Sequence, residues 1–293
     1  MAGWEDRVWW SRDGLRLHYR DYAGPAEKPP IICIPGLTRN ARDFTHVADR
    51  LAGQWRIILV ELRGRGDSAY APDPMTYAPL VYMQDIEALL AELGVPRATF
   101  FGTSLGGIVT MLLAAVHRQA IAGALINDIG PVLEERGVAH IRSYVGRAQH
   151  YASWLHAARA LSVSQGANYP RYGLEDWLRF AKRLFKLSSS GRITLDYDLA
   201  IAEPFRMEGG ATGVDLWPGW AALAGRPVTL LRGALSPLLS TATAQAMIAR
   251  VPEAELVTVP DVGHAPALDE PEAVAAIDRL LARVEEQAAA RAL

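Results

Sequence analysis

Ser104 stands in the run Phe100-Phe101-Gly102-Thr103-Ser104-Leu105-Gly106-Gly107, where an apolar strand-like stretch passes directly into an amphipathic helical one. The pattern Gly-x-Ser-x-Gly has a chemical logic. A nucleophile on a sharp strand-to-helix turn sits in strained backbone, and side chains two positions away on either side would collide with the turn. The turn lifts the hydroxyl above the sheet edge. It also leaves the Leu105 N–H at a helix N-terminus, where it can meet a developing oxyanion. The competing interpretation is a serine that merely caps a helix after a glycine turn.

Three further runs fall in an order that gives Ser104 a context. They are Ile34-Pro35-Gly36-Leu37, Glu61-Leu62-Arg63-Gly64-Arg65-Gly66-Asp67-Ser68 and Val262-Gly263-His264-Ala265-Pro266. With these four motifs the chain resembles the α/β-hydrolase superfamily over nearly its whole length. The first run is similar to that family's His-Gly-x oxyanion loop, with Pro35 where His is common, and implies that the Leu37 N–H is a second oxyanion donor beside Leu105. The second is similar to Asp-x-Arg-Gly-x-Gly-x-Ser, with Glu61 for Asp, and implies a structural loop tied down by Arg63. The last looks like the Gly-His loop after the final strand and implies that His264 is the general base.

The acid of a Ser-His-acid triad is less clear. The resemblance places it after the strand before the last one, three or four residues past Gly233, but Ser236 and Pro237 stand there. Three possibilities remain open. Asp128, at the end of Ala124-Leu125-Ile126-Asn127-Asp128, has room for one helix and one strand between it and Ser104, as in some related hydrolases and dehalogenases. Its bland alternative is a cap or an arginine partner. Asp261 lies three residues before His264. The third possibility is a Ser-His dyad completed by water or Ser236, or an enzyme weakened by loss of the acid.

The elements that must position these groups follow from periodicity. Arg7 to Ser11 and Leu15 to Tyr22 read as strands joined at Asp13-Gly14, and Ile31 to Ile34, Arg56 to Val60, Ala98 to Gly102, Ala122 to Asn127, Val228 to Arg232 and Leu256 to Val259 as buried strands. Helical spacing marks Phe44 to Leu51, Tyr77 to Leu93, Leu105 to His117, Thr241 to Val251 and Glu270 to Arg283. This alternation predicts a mostly parallel central sheet flanked by helices, and the resemblance implies that the sheet is that of the α/β-hydrolase fold. It breaks between about Pro131 and Trp217, where helical segments follow one another without clear strands. The expected division is a core of residues 1–130 and 218–293 and a helical cap of 131–217. The cap is rich in aromatic residues, and Tyr144, Trp154 and Trp177 are candidate pocket walls, or else the cap's own core.

Composition narrows the function further. The 293 residues carry a formal net charge of −2, which favours neither nucleic acid nor an anionic membrane surface. No apolar stretch reaches bilayer length, the first residues lack a secretory apolar region, and the expected setting is the cytoplasm. The single cysteine, Cys33, lies in an apolar run and reads as a core residue, and the scattered histidines form no recognisable metal motif. Neither a metal nor a cofactor is expected. The substrate implied is a small-molecule ester or lactone cleaved through an acyl-enzyme on Ser104. Arg39 is placed to meet a substrate carboxylate or to form a surface ion pair. Alternatives are C–C bond hydrolysis of a ring-cleavage product, cofactor-free perhydrolysis, or a non-catalytic receptor using the same pocket.

Overall fold

The computed structural model describes residues 3–206 and 214–292. Met1 and Ala2 of the amino-terminal stretch, positions 207–213 of the expected cap, and Leu293 lie outside the described residues. The chain runs through β1 (Glu5–Trp10), β2 (Arg16–Tyr22), β3 (Ile31–Ile34), α1 (Thr45–Leu51), β4 (Ile57–Glu61), α2 (Pro79–Glu92), β5 (Ala98–Thr103), α3 (Leu105–Val116) and β6 (Ile121–Asn127). An insertion follows, with α4 (Glu135–Tyr144), β7 (His150–Tyr151), α5 (Trp154–Gln165), α6 (Leu174–Leu184), β8 (Phe185–Leu187), β9 (Ile193–Leu195), α7 (Ala202–Arg206) and α8 (Trp217–Ala221). The chain then returns through β10 (Val228–Gly233), α9 (Thr241–Arg250), β11 (Glu255–Val259) and α10 (Pro271–Ala292).

Eight strands form the main sheet in the order β1-β2-β4-β3-β5-β6-β10-β11. β1 pairs antiparallel with β2 and β2 with β4, and every later neighbour is parallel. The parallel strands are buried on both faces because their residues alternate between two cores. In β3, Ile32 and Ile34 pack into the cluster under α2 and α3, and Ile31 and Cys33 into the cluster that includes α1 and α10. Cys33 is fully buried, and burial pushes its thiol pKa well up, so it is a packing residue.

The insertion is not wholly helical. β7, β9 and β8 form a three-stranded antiparallel sheet. Strands of two or three residues are too short for alternation to register, which is why the sequence reads there as uninterrupted helix.

The glycine-rich run after β4 is held as a rigid loop. Arg63 forks onto Asp85 at 2.8 and 2.6 Å and also reaches Asp13. The Asp13 carboxyl is thereby held down to about 2, chiefly by its hydrogen bond from Arg63. Gly66 has a φ of +54°, and a Cβ there would lie 2.2 Å from the Glu61 carboxylate. That carboxylate accepts from the N–H groups of Asp67 and Ala41 at 2.6 and 3.3 Å. It also meets His18 Nδ1 at 3.0 Å, while His18 Nε2 meets Asp6 at 3.0 Å. His18, Glu61 and Asp67 thus come within 4.8 Å of one another, a grouping of possible metal ligands hidden by their separation in sequence. Both ring nitrogens and both Glu61 oxygens already have protein partners.

Burial works against protonating His18, but the hydrogen bond and charge of Glu61, with Asp6, outweigh it and raise the pKa above its ordinary value. A raised folded pKa means that His18 contributes stability fully below about pH 6.5 and loses that contribution as pH rises through the folded value. The gap in melting temperature between wild type and His18→Gln should therefore shrink as pH climbs from about 6 toward 9. A gap independent of pH would show that the imidazole acts as a neutral packing group.

Candidate active site

Ser104 occupies the turn between β5 and α3 with φ 53° and ψ −114°, a left-handed conformation rare for a side-chain-bearing residue. Its N–H donates to the Asn127 carbonyl at 3.0 Å, and its carbonyl accepts from the Gly107 N–H at 2.9 Å. The flanking glycines are steric requirements. A Cβ on Gly102 would stand 2.5 Å from the Gly106 backbone, and one on Gly106 would stand 1.9 Å from the Ile34 carbonyl oxygen. The elbow is thus pressed against β3, whose following loop carries Leu37.

His264 reaches the serine from the loop after β11, with Nε2 2.9 Å from Ser104 Oγ. Nδ1 lies 2.7 Å from Asp128 Oδ2. Asp128 follows β6, the neighbour of β5 in the sheet, and is fully buried. Its φ of 55° turns the chain at the strand end, with its N–H donating to the Leu231 carbonyl at 2.8 Å. The carboxylate accepts from the Gly233 N–H at 2.9 Å on Oδ1 and from the Ser236 hydroxyl at 2.7 Å on Oδ2. Ser236, the residue at the position where the acid was sought, therefore bonds to Asp128 rather than to the imidazole. Its oxygen also accepts from the Leu238 and Leu239 N–H groups. Asp261 forms an ion pair with Arg171, and no hydrogen bond or ion pair joins it to His264 among the described residues.

Asn127 joins the three loops. Its carbonyl receives the Ser104 N–H, and its side-chain amide donates to the Pro266 carbonyl at 2.9 Å and to Thr103 Oγ1 at 3.1 Å. The insertion holds the histidine loop from the other side. Tyr169 donates its hydroxyl to the Ala265 carbonyl at 2.9 Å, and the Gly263 N–H donates to the Asn168 carbonyl at 2.6 Å.

Leu37 and Ser104 line the same cavity, and Leu105 opens α3, so its N–H has no acceptor within the helix. The Gly36 backbone comes so near the elbow that a Cβ there would lie 3.7 Å from Ser104 Cβ. One residue that holds this loop escapes sequence inspection. Arg65, fully buried, donates from Nε at 2.9 Å and from Nη2 at 2.7 Å to the Leu37 carbonyl. Its Nη1 donates to the Arg63 carbonyl and to the Tyr82 hydroxyl, and the group stacks near the Tyr82 ring. The sequence marks only the neighbouring Arg63, because the Leu37 carbonyl that Arg65 holds lies far away along the chain.

The cavity measures about 240 Å³ and lies between the sheet edge and the insertion. Tyr144 lines it, and burial pushes that phenol up to about 12, so it stays neutral near pH 7. Arg39 lines it too, but as half of a pair: Nε and Nη2 each meet Asp43 at 2.6 Å. Burial opposes the Arg39 charge, and Asp43 more than restores it, raising the pKa. Trp154 and Trp177 are not among the lining residues. Trp177 is buried in an aromatic cluster with Tyr169, Tyr172 and Phe180, and Trp154 packs on the same core. For these two the insertion's own core claims the large rings. His140, which the sequence gave no special role, does line the cavity.

Such an arrangement can take a proton from a serine hydroxyl through an imidazole oriented by a carboxylate, beside two backbone donors. Known proteins with similar chains are hydrolases by name. Residues 31–277 match the family described as the alpha/beta hydrolase family. A 3-hydroxybutyrate-oligomer hydrolase of Cupriavidus necator is 35% identical over 270 residues, which is 89% of this chain and 90% of that protein. A 2-(acetamidomethylene)succinate hydrolase of Mesorhizobium japonicum is 26% identical over 80% of this chain and 81% of its own length. The crystal structure of an alpha/beta hydrolase from Novosphingobium aromaticivorans superposes with a TM-score of 0.93 at 57% identity, covering 97% of this chain and 99% of that one.

If Asp128 orients the imidazole, Asp128→Asn should keep the fold and lower kcat by about 10⁴-fold. Pro237→Asp should give no gain, because Nδ1 already has a carboxylate at 2.7 Å. A folded Asp128→Asn protein with full activity, or a large gain from Pro237→Asp, would move the acid elsewhere.

Proposed function

The chain belongs to the alpha/beta hydrolase family, and on that footing we propose that it is a serine hydrolase that cleaves short carboxylic esters through an acyl-enzyme on Ser104. The observation that carries the proposal is the unbroken hydrogen-bonded line from Asp128 through His264 to Ser104 at a cavity wall. Ser104 Oγ attacks the ester carbonyl carbon while His264 Nε2 takes its proton. The N–H groups of Leu37 and Leu105 receive the oxyanion, and buried Asp128 balances the imidazolium. Collapse of the tetrahedral intermediate breaks the C–O bond, and the imidazolium returns its proton to the departing alkoxide. Water then repeats the sequence: His264 takes its proton, the hydroxide oxygen adds to the acyl carbon, and Ser104 leaves with the proton regained.

Two observations support a small ester substrate. The cavity of about 240 Å³ is below the roughly 300–1,000 Å³ of pockets for drug-sized ligands. The relative similar to 89% of this chain is named for oligomers of a short hydroxy acid.

Hydrolysis of p-nitrophenyl acetate and butyrate, and of a 3-hydroxybutyrate dimer, tests the proposal. Wild type should turn over all three, with activity falling at longer acyl chains, and Ser104→Ala should abolish turnover. A protein that binds these esters without turnover or an acyl-enzyme burst would instead be a receptor on the same fold.

A further inference from the structure

The charges that line the cavity do not balance. Two arginines, Arg39 and Arg183, and a single carboxylate, Asp43, are among the described lining residues. Asp43 is committed to Arg39 by two hydrogen bonds of 2.6 Å, and Arg39 is further held over the Phe180 ring, 4.5 Å from its centre. Arg183, on α6, is held more loosely, by one long ion pair. Its backbone carbonyl is used by Asn40 and Arg42, but its guanidinium makes no hydrogen bond among the described residues. The nearest carboxylate, on Asp269, stands 4.0 Å away and is half exposed, while the Arg183 side chain is only 15% exposed.

A guanidinium offers five N–H donors in a planar fork, and Arg183 spends none of them on a hydrogen bond among the described residues while its side chain is only 15% exposed. A ligand in the cavity that Arg183 lines can accept from those donors. The match is specific in two respects. One unbalanced positive charge fits one carboxylate rather than a doubly charged phosphate, and the planar fork fits a planar carboxylate through two parallel hydrogen bonds.

We infer that Arg183 binds a free carboxylate on the substrate, so that the preferred ester carries an anionic end as well as the scissile bond. The inference deepens the ester-hydrolase proposal and rests on it. Ester cleavage is placed at Ser104, and Arg183 selects which esters arrive there. Arg39, the cation that the sequence singles out for this task, is already neutralised by Asp43 and serves as the wall on which Phe180 stacks.

The test uses two dimers of a short hydroxy acid, identical except that one ends in a free carboxylate and the other in a carboxamide. In wild type kcat/KM should favour the carboxylate dimer, mainly through KM. Arg183→Met should reduce that preference by about 10- to 100-fold, the span of a charge-assisted hydrogen bond, and Arg183→Lys should keep part of it. A role confined to holding α6 in place would lower both substrates alike and leave their ratio unchanged, which would overturn the inference. Calorimetric binding of the two dimers to Ser104→Ala protein, with and without Arg183→Met, reads the same preference without turnover. Arg183-dependent preference in binding with no hydrolysis by wild type would sustain the inference and refute the esterase proposal. Hydrolysis with no carboxylate preference would do the reverse.

Discussion

A carboxylate with no exposed surface organises the site. Asp128 sits at the end of β6, cut off from water, and its charge has to be met by protein donors. Three supply them: the Gly233 N–H, the Ser236 hydroxyl and the His264 ring. Gly233 ends β10 and Ser236 lies in the loop that follows it, whereas His264 lies in the loop after β11, so satisfying one buried charge fixes the ends of β6 and β10 and the histidine loop relative to one another. Loss of any donor would leave the charge less balanced in a place where water cannot compensate.

The parallel sheet makes that convergence possible. Ser104 follows β5, Asp128 follows β6, Leu37 follows β3 and His264 follows β11, so all four stand at the same carboxyl edge. Asn127 then locks the spacing by bonding to Ser104, Thr103 and Pro266. The insertion closes the edge into a cavity and holds the histidine loop through Tyr169 and Asn168. Arg65 performs the matching task for the loop that carries Leu37.

Much of this was legible in the sequence where the signal is local. The order of long strands and helices, the elbow and its glycines, and the Gly-His loop all depend on neighbours within a few residues. The acid was ambiguous because a carboxylate after either of two adjacent strands can reach the same imidazole, and the sequence records order along the chain, not which strand end points inward. Ser236 and Pro237 leave a weakened enzyme as only one of three readings of the sequence, and in the structure Ser236 donates to Asp128. Long-range pairings were invisible for the same reason. Nothing near Arg65 announces the Leu37 carbonyl, and nothing near Arg183 announces that its guanidinium makes only one long ion pair. The three short strands of the insertion fall below the length at which alternation is readable. Trp177 is an aromatic residue at helical spacing whether it faces a core or a pocket, and only packing decides.

The proposed chemistry depends on Ser104 being a nucleophile made reactive by His264. Incubation with an alkyl fluorophosphonate followed by intact mass and peptide mapping reads this directly. One adduct per chain on Ser104, formed rapidly by wild type and lost in His264→Ala, is the predicted result. An unlabelled wild-type protein, an adduct on another residue, or equal labelling rates with and without the imidazole would contradict it.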